Sequence, residues 1–327
     1  MFKKKLGVFL TKTSELFFVA LFFLVYIKIS RLGTSDWASL SELLAGTARR
    51  PFIYRILLPQ FSQILARVVP ANPPSQFFHI EVLQETFTAL GGSIYPHVVL
   101  WILTLIFLSI IGFVCVEKHF LADLGFSQQA QNILPFFLLI LALPFTVYFG
   151  YLYDLPQLFL FTFSLWLLYK KRWGWYLILF ILTTLNKETS ILLSVVFYIY
   201  YFKKLDKKIF YQLLLAQFSI YLFIRFSLIW VYRHNPGNIV YPTFFEHLNQ
   251  YKTQPILFLL TLLLFFSVFL LTRKNWAKKN SFLKSATIVP LLILPLYFFG
   301  GMPMEFRVFL EALPILGILI FDPEKLH

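Results

Sequence analysis

The sequence predicts an all-α, polytopic integral membrane protein: one transmembrane domain over 1–327, with about ten membrane-crossing helices and a long first outer loop. Three observations predict it. Of the 327 residues, 59% are hydrophobic and only 13% charged, about half the charged share of an ordinary soluble domain. Apolar runs near the bilayer-spanning length of about 20 residues recur along the whole chain. The basic residues gather in alternate connecting segments, as the positive-inside rule requires. The net charge of +14 is therefore read as topology, and no nucleic-acid partner is inferred from it.

The elements follow in order. The start, MFKKKLGVFLTKTSELFFVALFFLVYIKI, has a basic head but no small-residue cleavage site, and its apolar run is long for a signal peptide. It reads as an uncleaved signal anchor with its helix near 14–31. Further crossings are expected near 94–116, 132–150, 155–170, 173–186, 189–203, 209–232, 255–272, 285–300 and 306–321. Starting inside, the segments 1–13, 117–131, 171–172, 203–208, 273–284 and 322–327 are cytoplasmic. They hold most of the 29 basic residues, in short runs such as KKR, KKLDKK and RKNWAKKNSFLK. Both termini then face the cytoplasm, in the plasma (inner) membrane of the cell envelope. Cys115 is the single cysteine. It makes no internal disulfide and reads as a buried, inert thiol.

The loop over 32–93 is the only long one. WASLSELLAG, FIYRILLPQFSQILARVV and FFHIEVLQETFTAL each place apolar residues at helical spacing. Such segments can lie in the membrane interface as amphipathic helices. PANPPSQ is a rigid break between the second and third.

The non-cytoplasmic face carries the chemistry. RRPFIYR, YGYLYDLPQ, LNKETS, YRHNPGNIVYPTFFEHLNQYKTQ and GGMPMEFRVFLE all reach that side. Charges at the membrane are usually paired or functional, so their convergence predicts one site. Arg49, Arg50 and Arg55 surround Pro51, a residue favoured at helix starts. Arginine forks and free helix N–H groups both suit phosphate; contact with lipid headgroups is the other reading. Asp36 and Asp154 are each a general base toward an acceptor hydroxyl or a helix N-cap. Tyr148, Tyr151 and Tyr153 form an interfacial aromatic belt or stack on a sugar. Arg307 and Glu311 stand at i, i+4 and are expected to pair, with Glu305 beside them. Glu188 is expected to favour the N-terminus of the returning helix, with Thr189 and Ser190 as caps. That leaves Lys187 as a phosphate ligand. Arg225, inside an apolar helix, needs a buried partner that the sequence does not identify. His79, His97, His234 and His247 show no metal-ligand spacing, and no metal site is assigned. Walker A, dinucleotide-binding and serine-nucleophile patterns are absent. So are an internal repeat and matched broken helices, which argues against a secondary transporter.

A first helix, a long outer loop with interfacial helices, an acid early in that loop (Asp36) and a second acid in the next outer turn (Asp154) make a layout. With RRPFIYRILLP, YDLPQL, LNKETSILL and EFRVFLE, it resembles the polytopic glycosyltransferases of the C fold class. The resemblance covers most of the chain as architecture. The chain departs from it in having Asp36 alone where many members carry adjacent acids, and in having no large soluble C-terminal domain. It implies transfer of a sugar from a polyprenyl-phosphate donor to an acceptor on the outer face. Arg49, Arg50, Arg55, Lys187 and Arg307 would neutralise the leaving phosphate, Asp36 or Asp154 would take the acceptor's proton, and Tyr153, Glu188, Glu305 and Glu311 would support them. A phosphate held by cations needs no metal; a divalent ion bridging carboxylate and phosphate is the alternative. Two other readings stand beside this one: a non-catalytic membrane subunit or flippase-like carrier of an anionic lipid, and a polysaccharide polymerase or ligase. The sequence leaves oligomeric state open.

Overall fold

A computed structural model describes residues 2–32, 38–147, 150–240, 242–303 and 305–321, the side chains of 2–12 excepted. Asp36, Tyr148 and the C-terminal segment 322–327 lie outside the described residues. Within them the regular structure is helical: α1 (Phe2–Ser30), α2 (Leu40–Ala45), α3 (Leu57–Val68), α4 (Glu81–Ala89), α5 (Pro96–Asp123), α6 (Gln128–Thr146), α7 (Asp154–Tyr169), α8 (Trp173–Asn186), α9 (Ile191–Tyr201), α10 (Lys207–Val231), α11 (Phe244–Thr253), α12 (Pro255–Arg273), α13 (Ser281–Ala286), α14 (Ile288–Gly300) and α15 (Leu313–Ile320). Tight 3₁₀ turns cover Phe52–Tyr54, Ser75–His79, Glu188–Ser190, Trp276–Lys278 and Phe306–Ala312.

Among the described residues six helical stretches are long and apolar enough to cross a membrane: Thr13–Ser30, Pro96–Asp123, Gln128–Thr146, Lys207–Val231, Pro255–Arg273 and Ser281–Gly300. The other four expected crossings are shorter. α7 has 16 residues and α8 has 14, lengths of about 24 and 21 Å against a hydrocarbon core of about 30 Å. α9 follows a 3₁₀ turn, and α15 has eight residues after the 3₁₀ segment Phe306–Ala312. Polar residues at Asp154, Asn186 and Lys187 interrupt the apolar pattern at the ends of these short helices. α5 runs about two turns past its expected end, taking Lys118 into the helix, where it pairs with Glu15 at 2.5 Å.

α5 and α7 form the spine of the bundle. α5 packs on α1, α3, α6 and α7, and α7 on α8. The buried face of α5 repeats at helical spacing through Val99, Ile102, Ile106, Ile110, Phe113, Phe120 and Leu121. Cys115 falls between those positions and is exposed, not buried as the sequence suggested. α10 and α12 are buried least, and their outer faces remain apolar, with Leu222, Phe223, Phe226 and Trp230 on one and Ile256, Leu259 and Leu263 on the other. Faces of this size suit lipid, not water. α6 and α15 approach closely at Gly317, where an added Cβ would lie 2.2 Å from Leu138 Cδ2. Leu138 is fully buried, so its side chain would have to repack to make way. Gly317→Val is expected to lower stability by about 1–3 kcal/mol, read as an earlier thermal unfolding midpoint in detergent.

Connecting segments fall into two groups by contact. In one, Asp123 accepts from Trp166 Nε1 at 2.7 Å and Lys170 Nζ at 2.9 Å, Lys204 reaches Ser281, and Lys279 donates to the carbonyls of Thr272 and Leu319. In the other, Gly150 N bonds Ser30 O, Asn235 Nδ2 donates to Gly46 O and Ala48 O, and His247 Nε2 contacts the carbonyls of Tyr297 and Gly301. The segments expected to share the outer face are those of the second group.

The three amphipathic runs of the long loop form α2, α3 and α4. Ser39 caps α2 by accepting from Glu42 N, and Gly46 ends it with φ 74°. α3 buries Leu58 and Ser62 toward the bundle and exposes the apolar stripe Phe61, Ile64 and Val68. That is the pattern of a helix at a polar–apolar boundary.

Candidate functional site

Charged and polar side chains from the Phe52–Tyr54 region, the turn before α7, the turn between α8 and α9, α10 and the segment before α15 meet in one buried network. Arg55 forms a fork on Glu188, Nε to Oε2 at 3.3 Å and Nη2 to Oε1 at 2.5 Å. Its Nη1 donates to the Tyr153 hydroxyl, and its guanidinium lies 4.4 Å over the Tyr153 ring. From the other side Arg307 Nη1 reaches the same hydroxyl at 3.3 Å and Asp154 Oδ1 at 3.0 Å. Arg307 Nη2 pairs with Glu305, and its guanidinium lies 4.0 Å over Tyr151. Asp154 Oδ2 accepts from Tyr151 N at 2.8 Å, so both carboxylate oxygens are engaged.

A second buried pair adjoins the first. Lys187 Nζ lies 2.8 Å from Glu311 Oε1, with side chains 3% and 0% exposed. The contact lacks hydrogen-bond geometry, so it is charge against charge, and Nζ keeps its donors. Thr189 Oγ1 donates to the same Glu311 oxygen at 2.6 Å. From Thr189 a chain of side-chain amides returns to Tyr153: Gln157 Nε2 to Thr189 Oγ1 at 3.5 Å, Asn186 Nδ2 to Gln157 Oε1 at 2.9 Å, and Asn186 Nδ2 to Tyr153 O at 3.0 Å.

Arg55, Tyr153, Asp154, Lys187, Glu188, Glu305, Arg307 and Glu311 are therefore brought together, but several partnerships differ from those expected. Arg307 does not pair with Glu311. Phe306–Ala312 is a 3₁₀ helix, in which residues three apart eclipse and i, i+4 do not share a face. Arg307 turns to Asp154 and Glu305, and Glu311 to Lys187. Thr189 and Ser190 do not cap α9; Thr189 serves Glu311, and Ser190 Oγ meets Thr184 Oγ1 at 3.0 Å. Glu188 is the partner of Arg55. The faces of Tyr151 and Tyr153 are covered by each other, Phe52 and the two guanidiniums, with Phe52 5.2 Å and Tyr153 5.4 Å from Tyr151. They are not open platforms for a sugar.

Arg49 and Arg50 do not present free N–H groups at a helix start. Pro51 precedes a three-residue 3₁₀ turn, and Arg50 N already donates to Pro236 O at 2.9 Å. Arg50 Nη2 holds Gly237 O at 2.6 Å, latching the long loop to the segment after α10. Gly237 sits at φ 90°, and a Cβ there would meet Arg50 O at 2.6 Å. Arg49 is exposed. Asp36, one of the two acids expected as base, lies outside the described residues.

Arg225 was not assigned to the site from sequence. Its Nη1 lies 4.0 Å from Glu188 Oε2, and its guanidinium 5.2 Å from the Tyr54 ring centre. The available signal was a lone arginine inside the apolar run of α10. Burial works to raise the Glu188 carboxyl, but the charge and fork of Arg55, with Arg225 behind it, outweigh burial and hold it well below the usual carboxylate range. With its folded value depressed, its stabilising contribution is complete above the ordinary carboxylate range of about 4.3 and is lost only as pH falls through the folded value. The stability deficit of Glu188→Gln is thus expected to be equal at pH of about 6 and about 8; a deficit that vanishes at the lower pH in thermal melts would contradict this. Burial also pushes the Tyr153 phenol up, against the pull of Arg307 and Arg55, so it stays neutral at pH 7 while accepting from both arginines.

Among the described residues no group of three or more His, Cys, Asp or Glu side chains is placed to hold a metal ion. Compared with protein-family models, curated proteins and solved structures, the chain matches none.

Proposed function

We propose that this chain is a membrane glycosyltransferase that moves a sugar from a polyprenyl-phosphate donor to an acceptor on the non-cytoplasmic face, with ten crossings and both termini in the cytoplasm. One observation carries the reading. In a chain with only 13% charged residues, four cations and four carboxylates converge at one end of an apolar helical bundle. Buried charge in such a setting is costly and is kept where it binds or transfers something. Arg55, Lys187 and Arg307 would face the phosphate leaving group, with Arg49 and Arg50 nearer the rim. Asp36, or Asp154 once Arg307 engages phosphate, would take the proton of the acceptor hydroxyl.

The test is transfer of label from a radiolabelled polyprenyl-phosphate sugar in membranes carrying wild type, Asp36→Asn or Asp154→Asn. The variant lacking the base is expected to lose about 10²–10⁴-fold in rate. Undiminished transfer by both removes the acids as bases. No transfer by wild type favours the second reading, a non-catalytic carrier of an anionic lipid. That reading draws support from the network itself, where every cation already faces a carboxylate.

A further inference from the structure

The network is neutral as a whole but uneven in its parts. Lys187 and Glu311 match one to one. Arg307 faces two carboxylates, Asp154 and Glu305. Arg55 and Arg225 share one, Glu188. The Arg307 end therefore carries a surplus negative charge, and the Arg55–Arg225 end a surplus positive one. Within that end the two arginines are not equivalent. Arg55 uses all three nitrogens on Glu188 and Tyr153. Arg225 approaches Glu188 no closer than 4.0 Å, and its buried Nη1 makes no hydrogen bond. A guanidinium in an apolar helix with donors unmet is costly.

Two further facts bear on what meets those donors. Glu188 is the most exposed member of the network at 30%, against 11% for Arg225, and it begins the short 3₁₀ turn between α8 and α9. Arg225 also shares one face of α10 with Phe218 and Leu222, seven and three residues earlier. Both stand exposed, so an apolar chain can lie along this stripe and end at the guanidinium.

We propose that Arg55 and Arg225 form an anion site whose resident occupant is the Glu188 carboxylate, exchanged for the phosphate of a membrane lipid whose hydrocarbon chain lies on the Phe218–Leu222 face of α10. The exchange is non-covalent: one anion leaves the arginines for solvent and another takes both forks. Lys187 Nζ and Arg307 Nε also lack a hydrogen bond, but each of those cations has a carboxylate of its own, whereas Arg225 only shares Glu188 with Arg55; Arg225 then supplies the donors for phosphate. The proposal rests on reading the cluster as a site for a lipid-linked phosphate, but it is tested by binding and needs no turnover.

The experiment uses the full chain in phosphatidylcholine nanodiscs with radiolabelled polyprenyl monophosphate as the probe. Arg225→Met leaves Arg55 and Glu188 as a matched pair, and it is expected to fold and to bind at least about tenfold more weakly. Glu188→Gln weakens the resident ligand and is expected to bind about tenfold more tightly than wild type. Glu188→Ala leaves two unmatched arginines and can lose stability; the readout there is the rise in unfolding temperature on adding probe, expected to exceed that of wild type. Unlabelled inorganic phosphate at the probe concentration is expected not to compete, because the chain on α10 contributes to affinity. Equal binding by wild type and Arg225→Met overturns the site. Binding by Glu188→Gln no tighter than by wild type overturns the exchange, and full competition by inorganic phosphate overturns the lipid as source. If binding follows the expected order while wild type transfers no sugar, the anion site stands and the transferase reading falls. If wild type transfers sugar and Arg225→Met binds and transfers equally, the reverse holds.

Discussion

Glu311→Ala is expected to destabilise the chain by about 3–5 kcal/mol, the range for breaking a buried ion pair by removing one partner. The cause is the charge left behind. Lys187 is 3% exposed and has Glu311 as its ion-pair partner, so the truncation strands an ammonium inside the bundle. It also removes the acceptor of the Thr189 hydroxyl, the link by which the turn between α8 and α9 is fixed to the segment before α15. The double variant Lys187→Met with Glu311→Leu separates this account from mere loss of packing. Replacing a buried pair by apolar groups of similar volume is often neutral or stabilising, so the double variant should recover most of the lost unfolding temperature in detergent. A double variant as unstable as the single one would show that the pair is not the source. Recovered folding with lost sugar transfer would assign Lys187 to the substrate.

This pair shows what the sequence could reveal and where it stopped. Lys187 and Glu188 stand side by side in LNKETS, and an apolar chain cannot leave them unmatched. That physical demand made the convergence of four of the five polar segments legible; the segment after α10 latches to the long loop instead, and its place in the network is taken by Arg225. So did the alternation of short basic and nearly neutral connections, which assigned those segments to one end. The helices of the long loop were legible from their apolar spacing. The pairing was not, because each partner comes from a distant part of the chain: Arg55 meets Glu188 across 133 positions and Arg307 meets Asp154 across 153. Local rules misled at Arg307 and Glu311, where i, i+4 spacing implied a pair but the backbone winds as a 3₁₀ helix. They misled again at Arg50, whose N–H is taken by Pro236. The short helices α7, α8 and α9 read as ordinary crossings because their apolar residues match the pattern, while the polar residues that end them sit inside the span such a helix would need. Arg225 was visible as an anomaly; its relation to Glu188 and Tyr54 was not, since nothing along α10 encodes it.

Arg307→Met is expected to produce a loss comparable to Glu311→Ala, again about 3–5 kcal/mol, and Arg307→Lys is expected to recover less than half of it. Methionine leaves two carboxylates, Asp154 and Glu305, without the cation between them, and Asp154 is fully buried. Lysine restores the charge but not the geometry. Arg307 contacts Asp154 and Tyr153 through one terminal nitrogen and Glu305 through the other, with its plane 4.0 Å over Tyr151. A single ammonium cannot span both carboxylates or stack flat on the ring, and each hydrogen bond lost to a charged partner costs about 1.5–3 kcal/mol. Unfolding temperatures in detergent should therefore fall in the order wild type, lysine, methionine. A lysine variant as stable as wild type would mean that Arg307 acts only as a point charge. Activity adds a second discrimination. If Arg307 only holds Asp154 and Tyr153 in place, the folded lysine variant should lose rate with little change in donor affinity. If Arg307 meets the phosphate itself, affinity for the polyprenyl-phosphate donor should fall as well, because lysine cannot reproduce the fork that phosphate accepts.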